Sequence, residues 1–359
     1  MKQQKKRVLL GMSGGIDSSV TAALLKSRGY DVIGITMQLV PKETEKQSAC
    51  CNLSSINDAK RVASQLNIPH YTINIRDAFK HHVIDYFVNE YMIGKTPNPC
   101  VECNRYIKFD ALLDKAKELN ADYVATGHYC KITYSPKYKR YFLNKAKDKH
   151  KDQSYFLYML NQEHLKKTLF PLGNYLKSEI REMAKDFNLI TANKQESQDI
   201  CFVTKNSYKE FIEKQVEKET LKHGNIIDIN GKILGRHQGL YKYTIGQRKG
   251  LNISADSPLY IIKINSKENE VVVGDKDFLS SHHFKINNLQ LVNPSLISPK
   301  KDYSIKVRYQ MIPFKGHLSE LSPNSAILNS STPIQFITPG QSCVIYDNDK
   351  VIGGGIISN

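Results

Sequence analysis

Along residues 8 to 130, short apolar runs alternate with stretches whose apolar positions recur every three to four residues, the pattern of parallel strands covered by helices. Val8-Leu9-Leu10-Gly11-Met12 is the first such run. After a polar, glycine-containing loop, a helix is expected from Ser18 to Arg28, with Gly29 as the residue that stops it. A second strand, Val32 to Leu39, precedes a helix starting near Ser54 or Ser55. There Asp58 suits the first turn, and Ile56, Ala59, Val62, Ala63 and Leu66 form a buried stripe. Tyr71 to Ile75 reads as the third strand. Helical periodicity returns at Phe79, Val83, Tyr86, Phe87 and Tyr91, ends near Gly94, and resumes from Tyr106 to Leu119 before a strand at Asp122 to Thr126. This order predicts a doubly wound α/β domain with a parallel sheet.

Beyond about residue 210 the pattern changes to short alternating runs separated by glycine and asparagine turns, as in Tyr260 to Ile264 and Val271 to Val273. Further candidate strands are Tyr303 to Tyr309, Ile334 to Ile337 and Ser342 to Tyr346, the last leading through Asp347-Asn348-Asp349 into Val351-Ile352. These predict a small central β-rich domain and a C-terminal antiparallel β-barrel. The expected domains are 1–208, 209–280 and 281–359, without internal repeats or a long low-complexity linker.

Composition narrows the class. With 40% hydrophobic and 24% charged residues the chain reads as soluble and globular, and no apolar run approaches the ~18 residues that span a bilayer. The cationic start Met1 to Arg7 looks like a signal-peptide n-region, but Ser13, the glycines and Asp17 interrupt any apolar segment after it, so a cytoplasmic protein with no membrane partner is expected. A formal net charge of +16 makes a polyanion such as nucleic acid the first candidate partner, against the plainer reading of a lysine-rich solvated surface. Seven cysteines in a large chain argue against a disulfide framework and for a reducing compartment. Functional cysteines are then catalytic or metal-binding.

Two segments carry candidate chemistry. In Ser13-Gly14-Gly15-Ile16-Asp17-Ser18-Ser19, a strand ends in a glycine-rich loop that opens a helix, so backbone N–H groups converge where the helix dipole favours an anion. The glycines permit close approach, the serines add hydroxyl donors, and Asp17 can hold the Mg2+ that accompanies a pyrophosphate group. It is not the Walker A loop, since no Gly-Lys-Ser/Thr follows. The second segment, Thr96-Pro97-Asn98-Pro99-Cys100-Val101-Glu102-Cys103-Asn104, sets two prolines before a Cys-x-x-Cys pair. A helix beginning close to Asn104 would put both sulfurs near a positive helix end and favour thiolate chemistry or metal ligation. A redox pair, half a zinc site and cluster ligands all remain open. Cys201, in Asp199-Ile200-Cys201-Phe202, is a third candidate, whereas Cys50, Cys51, Cys130 and Cys343 read as small buried residues.

The loop resembles the pyrophosphatase loop of the adenylating PP-loop ATPases, which cleave ATP between the α and β phosphates. Taken with Asn98-Pro99-Cys100-x-x-Cys103-Asn104, Ala125 to Tyr129, Lys151 to Leu157, Asp199 to Phe202, His237 to Leu240, Tyr243 to Leu251, Val307 to Tyr309, Pro339 to Gln341 and Gly353 to Gly355, it is similar over essentially the whole chain to the tRNA-specific 2-thiouridylase family.

That resemblance implies ATP-dependent replacement of the C2 oxygen of wobble uridine by sulfur in tRNAs for lysine, glutamate and glutamine. It implies ATP and Mg2+ as cofactors and a sulfur-donor protein, either a cysteine desulfurase or a relay. Carried over by position, Gly11, Met12, Ser13, Gly14, Gly15, Ile16, Asp17, Ser18, Met37 and Gly127 bind ATP, and Asp17 is catalytic. The cysteine at Cys201 carries sulfur as a persulfide, and the one at Cys103 is the nucleophile that frees it, leaving a Cys103–Cys201 disulfide. Asn98, Pro99 and Cys100 touch the target base, and His128, Lys151, Asp152, Gln153, Arg308, Tyr309 and Gln341 meet the tRNA.

Cys100 stands where many family members carry aspartate. Three cysteines, Cys100, Cys103 and Cys201, are therefore available as ligands of a 4Fe-4S cluster that would compete with the persulfide route. Two other classes compete with this one: an adenylating synthetase with a small-molecule substrate, which needs neither paired cysteines nor a basic β-rich tail, and a non-catalytic RNA-binding protein, which does not need the intact Ser13–Ser19 loop.

Overall fold

The structure is a computed structural model, and it describes residues 5–40, 53–195, 200–203 and 207–358. Cys50, Cys51 and Asp199, and the start of the helix expected near Ser54, fall outside or at the border of these residues. The chain forms two compact units, one comprising residues 1–84, 100–204 and 349–351, the other residues 85–99, 205–348 and 352–359.

The first unit is built on a five-stranded sheet in the order β3-β2-β1-β4-β7, every pairing parallel. Its strands are β1 (Arg7–Gly11), β2 (Asp31–Gln38), β3 (His70–Asn74), β4 (Tyr123–Ala125) and β7 (Thr168–Leu169). The unbroken apolar run of β1 has a simple cause: both faces of the sheet are covered. Val8 and Leu10 enter a core shared with α1 (Ile16–Ser27), α2 (Leu53–Gln65) and α8 (Lys177–Asp186), while Leu9 enters a second core with Leu112 and Ala116 of α6 (Ala111–Glu118). Each of these three strand residues is fully buried, which contributes roughly 1.5–3 kcal/mol per side chain. The first helix spans Ile16–Ser27 and stops as expected, with Gly29 at φ +84°.

Two departures from the periodicity reading matter for the site. The run expected as one helix from Phe79 to Gly94 is α3 (Arg76–Phe79), a π-helical stretch Lys80–Asp85, and α4 (Tyr86–Met92). The helix expected from Tyr106 starts earlier, as α5 (Pro99–Glu102), runs through a π-helical stretch Cys103–Asp110, and becomes α6. Pro99 is the physical reason for the earlier start, because a fixed φ and a missing N–H suit a first helical position. A hairpin, β5 (Lys131–Ser135) with β6 (Arg140–Asn144), was not anticipated. α7 (Gln162–Lys167) follows it.

In the second unit, α4 packs against α9 (Tyr208–Glu213): Tyr91 stacks on Tyr208 at 4.7 Å, and Phe87 meets Phe211 edge-on at 6.3 Å. Four strands, β8 (Gly224–Ile227), β9 (Ile233–His237), β10 (Tyr260–Asn265) and β11 (Glu270–Gly274), form a sheet ordered β10-β11-β8-β9 around Ile226, Ile261, Val271 and Val273. The C-terminal strands are β12 (Ser280–Leu291), β13 (Tyr303–Lys306), β14 (Phe314–Ser319), β15 (Ser325–Gln335), β16 (Ser342–Asp347) and β17 (Lys350–Ser358). They pair in the order β12-β15-β14-β13-β16-β17, and β12 pairs back onto β17, so the sheet closes into the expected antiparallel barrel and leaves no open edge. Strand β13 ends at Lys306, short of the predicted Tyr309. Among the described residues, no helix is long and apolar enough to cross a membrane.

Candidate active site

The loop between β1 and α1 lies at the carboxyl end of the parallel strands, where open α/β sheets bind their ligands. Gly14 takes φ +69°, and a Cβ there would sit 2.0 Å from the Ser55 carbonyl oxygen, so only glycine fits. Two of the three serines turn out to brace the loop rather than offer hydroxyls outward. Ser18 Oγ accepts from the Ser13 N–H at 3.2 Å and donates to the Gly15 carbonyl at 3.1 Å, and Ser19 Oγ donates to that same carbonyl at 2.8 Å. Ser13 remains exposed. The N-cap of α1 is Gly15, which supplies no side-chain acceptor to the first-turn N–H groups. Gly127 follows β4 and crosses this turn closely: a Cβ would lie 3.0 Å from Ser18 N. Gly11 and Met12 end and follow β1, Met12 with its side chain buried, and Met37 lies near the end of β2.

Asp17, in the first turn of α1, is half-buried and held from two sides. The Tyr129 hydroxyl and the Lys177 ammonium both donate to its Oδ1, each at 2.7 Å. Tyr129 is in turn fixed by Gln153: its N–H donates to Gln153 Oε1, and its carbonyl accepts from the Gln153 N–H, both at 2.9 Å. Lys194 reaches the loop as well, donating to the Gly14 carbonyl at 3.0 Å and to Asp58 at 2.6 Å. Neither Lys177 nor Lys194 carried a signal in the sequence, because both act across more than a hundred residues of chain. Tyr129 closes the Ala125–Tyr129 motif, yet nothing in the spacing of that motif points to its hydroxyl. The residue fits a hydrated Mg2+: Tyr129 and Lys177 both donate to Oδ1 of Asp17, and a carboxylate is a hard oxygen ligand.

The residues expected to meet RNA are differently placed. His128 is buried, its Nδ1 2.8 Å from Thr126 Oγ1 and its Nε2 3.5 Å from Lys108 Nζ. Burial first, and the Lys108 charge second, hold its pKa well below the ordinary histidine value. Asp152 is also buried, accepting from the Ala146 N–H at 2.9 Å and from Ser154 Oγ at 2.8 Å, so it shapes the loop that presents Lys151. In the second unit Arg308 donates to the Phe336 carbonyl and to Thr338 Oγ1, both at 2.8 Å, beside half-buried Tyr309. Gln341 donates to the Thr96 carbonyl at 2.7 Å, and the Thr96 N–H donates to the Pro339 carbonyl at 2.9 Å, bracing the strap that leads to Asn98 and Pro99.

Cys100 lies half-buried in α5, and Cys103 is buried as the first residue of the π-helical stretch, so both sulfurs lie inside the helical run rather than just before it. Glu102 sits between them, its carboxyl pKa raised by burial and only partly lowered again by Arg105. Half-buried Cys201 precedes Phe202, whose ring meets Phe79 of α3 edge-on at 5.7 Å; α3 also packs against the Cys103–Asp110 stretch. The two cysteine segments thus border one short helix. Among the described residues, no group of three His, Cys, Asp or Glu side chains is placed to hold a metal ion. Cys130 and Cys343 are buried free thiols, their pKa values raised by burial.

A separate cleft of 590 Å³ opens at the amino ends of β1 and β2, the opposite edge of the sheet from the loop. Lys6 pairs there with Asp122 at 2.8 Å and Arg7 with Asp31 at 2.7 Å, and Lys5 and Lys26 add two further cations to its lining.

A parallel sheet whose first strand–helix connection is a glycine-rich loop, followed by two β-rich modules, defines a HUP-type domain carrying appended barrels. Family profiles agree: residues 6–205 match the tRNA methyl transferase HUP domain, 209–275 the tRNA methyl transferase PRC-barrel domain, and 281–357 the aminomethyltransferase beta-barrel domain. The chain is 46% identical over 355 residues to tRNA-specific 2-thiouridylase MnmA 1 of Caldanaerobacter subterraneus subsp. tengcongensis, covering 98% of this chain and 97% of that protein. It is 44% identical over 357 residues to tRNA-specific 2-thiouridylase MnmA of Acetivibrio thermocellus, covering 98% and 99% respectively. It is 46% identical over 356 residues to tRNA-specific 2-thiouridylase MnmA 2 of Clostridium tetani, with the same two coverages. The chain belongs to the tRNA-specific 2-thiouridylase family.

Proposed function

We propose that this protein is a cytoplasmic tRNA-uridine 2-sulfurtransferase that uses ATP to exchange the C2 oxygen of wobble uridine for sulfur in tRNAs for lysine, glutamate and glutamine. The observation that carries the reading is the Ser13–Ser19 loop at the foot of α1, with Asp17 held in place by Tyr129 and Lys177. A carbonyl oxygen is a poor leaving group. Attack of the uridine O2 on the α-phosphorus expels pyrophosphate with its bonding electron pair and converts that oxygen into part of AMP, a good leaving group. Mg2+ bound at Asp17 supplies charge neutralisation for the departing phosphates. Gly11 to Ser18, Met37 and Gly127 form the nucleotide site.

The terminal sulfur of a Cys201 persulfide then attacks C2, and AMP leaves with the former carbonyl oxygen. Attack of the Cys103 thiolate on Cys201 Sγ releases 2-thiouridine and leaves a Cys103–Cys201 disulfide for later reduction. A sulfur-donor protein recharges Cys201. Asn98, Pro99 and Cys100 border the target base, Lys151, Arg308 and Tyr309 contact the tRNA, and His128, Asp152, Gln153 and Gln341 hold the contacting segments in shape. An anticodon loop suits this chemistry, since an unpaired base can be turned into a pocket at modest cost. These steps need only Cys103 and Cys201, and none of them is routed through a 4Fe-4S cluster on Cys100, Cys103 and Cys201.

Incubating the protein with ATP, Mg2+, a protein-persulfide donor and unmodified tRNA should give AMP and 2-thiouridine. Cys201→Ala should abolish thiolation under these conditions; full thiolation by that variant rejects the assigned sulfur-carrying role.

A further inference from the structure

The two π-helical stretches, Lys80–Asp85 and Cys103–Asp110, are joined by a ladder of side chains that no motif covers. The Tyr106 ring stacks on His82, with centroids 4.5 Å apart and planes 17° from parallel, and His82 meets His81 edge-on at 4.8 Å. The Arg105 guanidinium carbon lies over the same Tyr106 ring, 4.7 Å from its centroid. Two groups this close to one ring centroid cannot share a face, so Tyr106 is sandwiched between His82 and Arg105. The ladder is not core: His81 is exposed, and His82, Arg105 and Tyr106 are half-buried. Among the described residues, no acceptor takes a hydrogen bond from the Arg105 guanidinium and no carboxylate pairs with it. A planar cation is thus held flat on one side by Tyr106, with its donors unspent.

Its surroundings say what it faces. Asn104, 3% exposed, donates to the Phe156 carbonyl at 3.1 Å, which ties this stretch to the Lys151–Leu157 segment, and Lys108 Nζ lies 3.5 Å from His128 Nε2. Both partners belong to segments expected to meet RNA. The other stretch continues from α3, whose Phe79 packs on Phe202 beside Cys201. The ladder therefore borders the Cys103 and Cys201 segments. Widened helical turns concentrate at functional positions, and unpaired RNA bases stack on aromatic rings and on arginine planes.

We infer that the Arg105–Tyr106–His82 ladder is a stacking platform for an unpaired tRNA base next to the target uridine, with that base lying on the open face of the Arg105 guanidinium. Stacking the neighbour there holds the anticodon loop splayed while the uridine is turned into the site. This assignment rests on reading the chain as a tRNA 2-sulfurtransferase.

The test measures binding of the full-length enzyme to intact tRNA for lysine and to two versions of it, each lacking the base on one side of the wobble uridine. Arg105→Lys keeps the charge and loses the plane, and should weaken binding of intact tRNA at least about fivefold. On one of the two abasic tRNAs, variant and wild type should bind within about twofold of each other. Tyr106→Leu, which removes the ring that holds the guanidinium flat, should show the same pattern and serves alone if the lysine variant does not fold. A ladder that only joins the two helical stretches would give a loss that persists in full on both abasic tRNAs, or no loss on intact tRNA, and either result overturns the platform while leaving the enzyme's activity assigned. If the wild-type enzyme does not bind intact tRNA, the tRNA-modifying reading falls first, and this inference with it.

Discussion

Asp17 owes its fixed orientation to two donors on one oxygen, which separates holding the carboxylate from using it. Asp17→Asn keeps the shape but removes the charge, and should lower AMP formation by at least about a hundredfold, the scale of losing one preorganised electrostatic group. Tyr129→Phe removes one of the two donors and should cost less. Single-turnover AMP release with tRNA present measures both, and an Asn variant close to wild type would rule out a charge role. His128 makes a pH prediction. Its folded pKa is depressed by burial and then by Lys108, so the unfolded chain takes up the proton more readily. Stability should be unaffected above the ordinary histidine pKa of about 6.5 and fall as pH drops below it. Urea unfolding between about pH 7 and 5 should show a flatter slope for His128→Gln than for wild type; parallel slopes would mean that His128 protonates freely in the native state.

At the scale of elements, the site depends on connections whose geometry allows few residues. Gly14→Ala would push a Cβ against the Ser55 carbonyl at φ +69°, and should destabilise by about 1–3 kcal/mol or displace α2, read as a lower Tm and weakened ATP protection. The Thr96–Pro99 strap is a second case. Gln341→Ala removes the hydrogen bond to the Thr96 carbonyl, so amide exchange at residues 95–98 should accelerate and thiolation should fall while Tm changes little. Unchanged exchange there would assign Gln341 to direct RNA contact instead. The alternation of strands and helices was legible because burial on both faces makes β1 continuously apolar, whereas the π-helical turns were not, since a widened turn leaves the 3.6-residue stripe nearly intact. The early start at Pro99 was obscured by the two prolines, which read as a stiff loop and serve as a helix entrance.

For the whole molecule, the +16 charge implies strong salt dependence of tRNA binding through counterion release. Replacing Lys151 or Arg308 by Gln should weaken binding and reduce the log–log salt slope by about one each, measured by filter binding over a salt series. An unchanged slope would remove that residue from the phosphate contacts. The barrel's closure through β12 and β17 makes the last strand structural, so truncation before Lys350 should unfold the barrel rather than merely trim it.

Taken alone, the sequence determined the parallel α/β class, the antiparallel barrel, the glycine-rich loop and the Cys100–Cys103 pair, because each of these is written in local spacing: the periods of strand and helix, a glycine-rich turn, a Cys-x-x-Cys. Only the tertiary structure decided what surrounds them. It spent Ser18 and Ser19 on the loop's own carbonyl, buried His128 and Asp152, tied Gln341 to Thr96, and brought Tyr129 and Lys177 onto Asp17 from 112 and 160 residues away. The physical reason is that a hydrogen bond or ion pair depends on separation in space, and side chains this far apart in the chain leave no periodic trace of the contact they will make.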